Sequence, residues 1–280
     1  FDYVDGGTGE SDREFSSMGS RHWTKKRFYA KCDAVAKSIL WMGDRYGRMP
    51  DLIGLAEIEN KGVLAKMLRS TALRKYDYEI VYHESGDRRG IDVAILYRRS
   101  SMKLESMSVK VPEYEGSRLA TRDILHAEMC LADSCRLDFI VNHHPSKYGG
   151  EKESMGRREA AMKALKELAD SLGNENMIAM GDFNDTPDAA SFGVIDGTLT
   201  NLGRKLHERG EGTIRYEGKW DLIDMFMVSP GLDGRTDMEI CRIPFLMTWE
   251  RKHPGEKPLR TYSGPRYIGG VSDHCPIILK

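Results

Sequence analysis

The sequence predicts an α/β sandwich with mixed β-sheets. Two observations carry that prediction. Apolar runs of strand length outnumber stretches with helical periodicity. Several of those runs also follow one another with no helix between them, which a regular βαβ alternation and its parallel sheet would not allow. With 280 residues, 40% hydrophobic and 30% charged, the chain is long enough for one large domain or two small ones. It shows no internal repeat, low-complexity tract or Pro/Gly-rich linker.

Residues 1–20 are polar and rich in Gly, Ser and Asp, so they read as loop. Phe28, Val35, Ile39 and Met42 recur at helical spacing, with Cys32 between them. Thr24 is the expected N-cap and Gly43 the expected stop. "DLIGLAEI" (Asp51 to Ile58) reads as a buried strand. Asn60 then caps a helix through "KGVLAKMLRS". Strands are expected at Tyr78 to Tyr82, Ile91 to Tyr97, Ile124 to Leu131 and Leu137 to Asn142. A helix from about Ser154 to Leu172 buries Ala161, Leu165, Leu168 and Leu172, and Gly173 ends it. The strand "NMIAM" follows, then "LIDMFMVS" (Leu222 to Ser229) and finally "CPIILK".

Forty-two basic residues balance 43 acidic ones, for a formal net charge of −1. That excludes a generally basic nucleic-acid binder and makes any attraction to phosphate local, through a patch or a metal. No apolar run approaches the about 20 residues that span a bilayer. Five cysteines (Cys32, Cys130, Cys135, Cys241, Cys275) lack metal-ligand spacing. Cys130 and Cys135 flank a turn, and two readings stand: a bridge suited to an oxidising compartment, or two reduced strand cysteines. The chain begins Phe1-Asp2, so a removed export signal is compatible with it.

Four apolar strands end in, or just before, small polar constellations: "GLAEIEN", "DFIVNHHPSKYGG", "MGDFND" and "GGVSDHCPI". Loops at strand ends on a rigid scaffold are where sites concentrate. Each alone also has a bland reading. A strand-end Glu is commonly solvated, an Asp-His pair is commonly a turn or cap, and Asp, Asn, Gly and Pro are ordinary turn formers.

Together and in this order, "GLAEIEN", "VNHHPS", "MGDFND" and "VSDHCP" resemble the motifs of the endonuclease/exonuclease/phosphatase superfamily. "RGIDVAILY", "HHPSKYGGEKES" and "GTIRYEGKWDLID" are similar to a bacterial branch most familiar from Bacteroidetes. The resemblance implies a four-layer, deoxyribonuclease I-like α/β sandwich: two mixed β-sheets flanked by helices, as a single domain over 1–280. It also implies hydrolysis of a phosphodiester or phosphomonoester by in-line attack of water, with a hard cation. Mg²⁺ is the expected ion, with Mn²⁺ or Ca²⁺ as alternatives.

By position in the motifs, Glu57 is the implied metal ligand, with Asp273 as a metal-side carboxylate. Asp182 is implied to position or activate the water, and Asn184 to hold water and phosphate. His143 and His274 are implied to contact the phosphate, with Asp224 orienting His274 and Asp92 orienting His143. Arg89 and Lys147 are candidate phosphate contacts, against a reading as solvated surface charges. Glu59, two residues beyond Glu57, reads as a solvated loop acid, and His144 as a packed ring.

One departure stands out. Relatives carry a metal-site Asn on a first strand, and no Asn precedes Asn60 here. The expectation is that this strand lies upstream of residue 1. The competing reading is a catalytically silent binding module on the same fold. Within the enzyme reading the substrate is a nucleic acid, a phospholipid head group or a small phosphate. "RHWTKKR" (Arg21 to Arg27) is either part of a nucleic-acid groove or the first turn of a helix. An exported protein (periplasmic, surface-anchored or extracellular) is the expected location.

Overall fold

The structure is a computed structural model that describes residues 13–131, 135–147 and 149–280. The expected elements form, with adjusted ends. Helix Lys25–Tyr46 is capped by Thr24, whose hydroxyl accepts from the Arg27 amide at 3.4 Å. It runs past Gly43 and ends at Gly47, which takes the left-handed conformation at φ 73°. Gly43 instead lies inside the helix and permits close packing. A Cβ there would sit 2.5 Å from the Met49 sulfur. Asn60 caps Lys61–Ser70, its side chain accepting from the Val63 amide at 3.1 Å. Gly173 ends Glu151–Leu172 as expected.

These elements build a mixed α/β fold around two main sheets. The smaller has strand Asp92–Arg98 at its centre, flanked by Leu52–Ile58 and Tyr78–Tyr82. The larger runs in the order Thr200–Asn201, Asp224–Val228, Met177–Asp182, Arg136–His143, Ile124–Leu131, Met102–Lys110. The expectation of two mixed sheets is corrected here. Among the described residues only the larger is mixed, through the parallel pair Arg136–His143 and Met177–Asp182, whereas the smaller is antiparallel. Tyr78–Tyr82 and Asp92–Arg98 follow one another too closely for a parallel crossover.

Period-two alternation decides which side chain faces which layer. Val93 and Ile95 meet Leu125, Ala127, Phe139 and Val141 between the sheets. Their neighbours Ala94 and Leu96 face the two N-terminal helices, against Phe28, Ile39, Leu64 and Met67. On the far side of the larger sheet, Ile140, Ala179 and Met225 meet Met162, Leu165 and Leu168 of Glu151–Leu172. Among the described residues no helix is long and apolar enough to cross a membrane.

Among the described residues, strand Leu52–Ile58 pairs along one edge only. Strand Ile277–Leu279 likewise pairs only with Met238–Ile240. Residues of both strands line one cleft, together with Ile39 and Met42 of the first helix.

Cys130 and Cys135 are thiols, not a bridge. The register explains why. Cys130 pairs with Arg136 and the Leu131 amide bonds to the Cys135 carbonyl, so the two cysteines sit one step out of phase. Alternation then sends their side chains to opposite faces.

Candidate active site

The cleft of about 440 Å³ collects the polar strand ends. Glu57 reaches it through a β-bulge. Ala56 pairs with Val93 and Ile58 with Asp92, so Glu57 is the extra residue, in the left-handed region at φ 58°. Such a bulge re-aims a side chain out of the ladder.

Three neighbouring strands supply the floor in register. His143 pairs with Asp182 across the parallel step, and Asp182 with Asp224 across the antiparallel one. The ladder is tight here because Gly181 (φ 145°) precedes Asp182. A Cβ at that position would lie 1.9 Å from the Asn142 carbonyl oxygen, so only glycine fits. Asp182 Oδ2 lies 3.5 Å from His143 Nε2, and its Oδ1 accepts from the Asn184 amide at 2.8 Å. His274 enters from the C-terminal segment, held by an isolated bridge to Ile214, and its Nδ1 meets Asp224 Oδ2 at 2.8 Å.

The two histidines are driven apart in charge. Burial, then the guanidiniums of Arg122 and Arg89, hold His143 well below the usual range, so it is neutral. Burial alone would also lower His274. Asp224, then Asp182 and Asp273, outweigh it and raise His274 to about 10, so it is an imidazolium. Burial, then the Asp224 carboxylate, push Asp182 up to about 7. The site therefore holds a neutral imidazole, an imidazolium and a carboxylate that titrates near neutrality.

The structure brings Glu57, Arg89, His143, Asp182, Asn184, Asp224, Asp273 and His274 to one cleft. Lys147 is not among them. It pairs with Glu151 at 3.0 Å and Asp185 at 3.5 Å, at the start of the long helix. Asp92 does not orient His143. Its carboxylate is taken by the Ser85 amide at 2.9 Å, the Ser85 hydroxyl and Tyr82. Among the described residues His143 Nδ1 has no hydrogen-bond partner, and its other nitrogen faces Asp182. Glu59 is buried rather than solvated. His144 packs as a ring, edge-on to Phe183 at 4.9 Å.

Asp182, Asp224 and His274 bring ligand atoms within 4.8 Å of one another, a geometry that could hold a cation. His274 is the weakest donor of the three, its Nδ1 already in the hydrogen bond to Asp224 at 2.8 Å. Asp273 fits a metal poorly as well, since Arg260 pairs with it. Glu57, re-aimed by its bulge into the cleft, fits best as the anchor.

Two groups of this neighbourhood were hidden in the sequence. Arg122 is buried, donating to Asp87 at 3.2 Å and to the His144 carbonyl at 2.7 Å. Asp185, expected as a turn residue, is also buried. It accepts from Arg158 Nε at 2.8 Å and from the Ser191 hydroxyl at 2.9 Å, and so ties the loop after Asp182 to the long helix. Both side chains of the pair are at most 6% exposed. Arg158→Met removes the buried guanidinium, leaves that carboxylate only the Ser191 hydroxyl and the more distant Lys147, and is expected to cost about 3 kcal/mol. Urea unfolding measures it as a lowered midpoint.

"RHWTKKR" is built into the fold. Trp23 is buried, Arg27 lies 4.4 Å over the Tyr267 ring, and Arg21 stacks 5.5 Å over Tyr262. It forms the start of the first helix and packs on aromatic rings.

The model of the Endonuclease/Exonuclease/phosphatase family matches residues 1–280. No curated protein is similar enough in sequence to match. Among solved structures, a mannosyl-6-phosphatase from Bacteroides thetaiotaomicron is 16% identical, with a TM-score of 0.60, covering 90% of this chain and 91% of its own. An endonuclease/exonuclease/phosphatase family protein from the same organism is 19% identical, with a TM-score of 0.60 and coverages of 89% and 88%. The human Nocturnin catalytic domain with bound sulfate is 13% identical, with a TM-score of 0.55 and coverages of 92% and 88%. At these identities the likeness is one of fold alone.

Proposed function

The chain belongs to the endonuclease/exonuclease/phosphatase family, and on that premise we propose that it is a divalent-metal-dependent phosphoesterase on a four-layer, deoxyribonuclease I-like sandwich. The observation that carries the reading is the row His143, Asp182, Asp224, with His274 on Asp224, facing the bulged Glu57. Phosphate esters are anionic and slow to hydrolyse. They need charge neutralised on phosphorus oxygens and a water held in line with the leaving group.

Each residue has a part that follows from its state. Glu57 would hold the cation, Mg²⁺ being the expected ion. When bound, it neutralises the non-bridging and leaving oxygens. Asp182, poised near neutrality, orients the water and takes its proton. The Asn184 amide offers donor and acceptor together to the water and the phosphate. His274, cationic and fixed by Asp224, stabilises the charge that develops on phosphate oxygen. His143 stays neutral and hydrogen-bonds rather than adding charge. Arg89 extends the positive side of the cleft.

Within this class we favour a compact phosphate ester over a nucleic-acid duplex. A cleft of about 440 Å³ suits a small ligand, and Arg21 and Arg27 of "RHWTKKR" are stacked on Tyr262 and Tyr267.

The test is hydrolysis of p-nitrophenyl phosphate, bis-p-nitrophenyl phosphate and supercoiled plasmid, with Mg²⁺ and with excess EDTA. Turnover of an aryl ester that EDTA abolishes is the expected result. Turnover that survives EDTA would overturn the metal mechanism. Plasmid nicking without small-ester turnover would favour a nuclease, and silence on all three would favour the binding module.

A further inference from the structure

We propose that Arg122 is a positioning residue that fixes the amide of Asn184; the inference rests on the reading of Asn184 as a phosphate- and water-holding group. Arg122 lies outside the cleft-lining residues and its side chain is 3% exposed. It acts through one backbone oxygen. The His144 carbonyl accepts from Arg122 Nη2 at 2.7 Å and also from Asn184 Nδ2 at 2.9 Å.

That carbonyl needs an external hold. The parallel ladder ends at the pair His143 and Asp182, and the His144 amide still bonds to the Asp182 carbonyl at 2.9 Å. The His144 carbonyl lies just beyond this last bond, where the sheet supplies no further partner. Arg122 supplies one. Its other arm, Nη1, is braced on Asp87 at 3.2 Å, so the guanidinium cannot swing away.

The consequence falls on Asn184. Its backbone is in the left-handed region at φ 52°, and its own amide bonds to Asp182 Oδ1. An Asn side chain can present its oxygen and nitrogen in either order. Committing Nδ2 to a fixed carbonyl selects one order and leaves Oδ1 for the cleft. Without the fixed carbonyl both orders become available, and the site loses a defined donor and acceptor.

A simple structural staple would be cheaper. Arg122 keeps a buried charge, its Nε has no partner, and Arg89 adds like charge nearby. A neutral side chain could hold one carbonyl. A rigid two-armed fork is what holds that carbonyl in one place while braced on an acid.

The experiment is a double-mutant cycle of Arg122→Lys and Asn184→Ala, run beside ¹⁵N-asparagine spectra of the side-chain amides. The Asn184 signal is identified by its loss in Asn184→Ala. Arg122→Gln and Arg122→Lys are each expected to lower kcat about 10–100-fold, with little change in KM. In the Asn184→Ala background Arg122→Lys, which keeps the charge beside His143 and removes the fork, should add almost nothing, because both changes remove one device. The Asn184 amide protons, protected in the parent, should exchange with water faster. Independent, multiplicative losses in kcat, or an unchanged Asn184 amide, would overturn the proposal. If Arg122→Gln does not fold, Arg122→Lys alone carries the test. If the parent hydrolyses no phosphate ester, the proposed function fails while the amide spectra still decide the positioning.

Discussion

Asp182→Asn is expected to lower kcat about 10²–10⁴-fold, the range carried by a positioned general base, while raising the melting temperature. The two effects have one cause. Asp182 sits against Asp224 in a desolvated row, and its folded pKa is raised to about 7 from the usual carboxylate value near 4. The ionised form is thus disfavoured by folding. The cost is absent below the unfolded pKa, grows as pH rises, and is complete above about 7. At pH 8 the variant removes that cost without changing size. Circular dichroism melts and steady-state kinetics on the same samples check both halves. A variant that loses activity and stability together would mean that Asp182 is a structural acid.

Asp224→Asn is expected to lower kcat about 10²-fold or more, since it disarms an electrostatic stabiliser, and to narrow the active pH range from the alkaline side. His274 is cationic because Asp224, ahead of Asp182 and Asp273, outweighs its burial. Its folded pKa of about 10 lies above the unfolded value near 6.5. The stabilisation from this pair is therefore complete below about 6.5 and is lost as pH rises through about 10. In the parent, activity should rise as Asp182 ionises near 7 and fall as His274 deprotonates near 10. The apparent values belong to the coupled group and not to either residue alone. In Asp224→Asn the upper limb should move towards neutrality. An unmoved upper limb would show that His274 does not carry it.

What could be read from the sequence was what repeats locally. Tyr78–Tyr82 and Ile124–Leu131 are continuous β-favouring runs with both faces in contact, and their ends were legible to the residue. Strand Met102–Lys110 was not, because it is the polar edge of its sheet and "KLESMSVK" shows little alternation. Glu57, Asp182, Asn184 and His274 were legible through the motifs. Pairings across strands were not. Both Asp92 and Asp182 lie far from His143 in sequence, and only the parallel register makes Asp182 the neighbour. Arg122 and Arg158 carried no signal, since composition alone cannot show that a guanidinium has a buried carbonyl or carboxylate waiting for it.

In the proposed reaction water, activated at Asp182, attacks phosphorus. Turnover of the best aryl phosphate in ¹⁸O-labelled water tests it most directly, by mass spectrometry of both products. One labelled oxygen is expected in the phosphate product and none in the phenol, with no labelled product when Mg²⁺ is withheld and release slowed by roughly 10²-fold or more when Asp182 is Asn. Label in the phenol, or labelled phosphate formed equally well by Asp182→Asn, would contradict it.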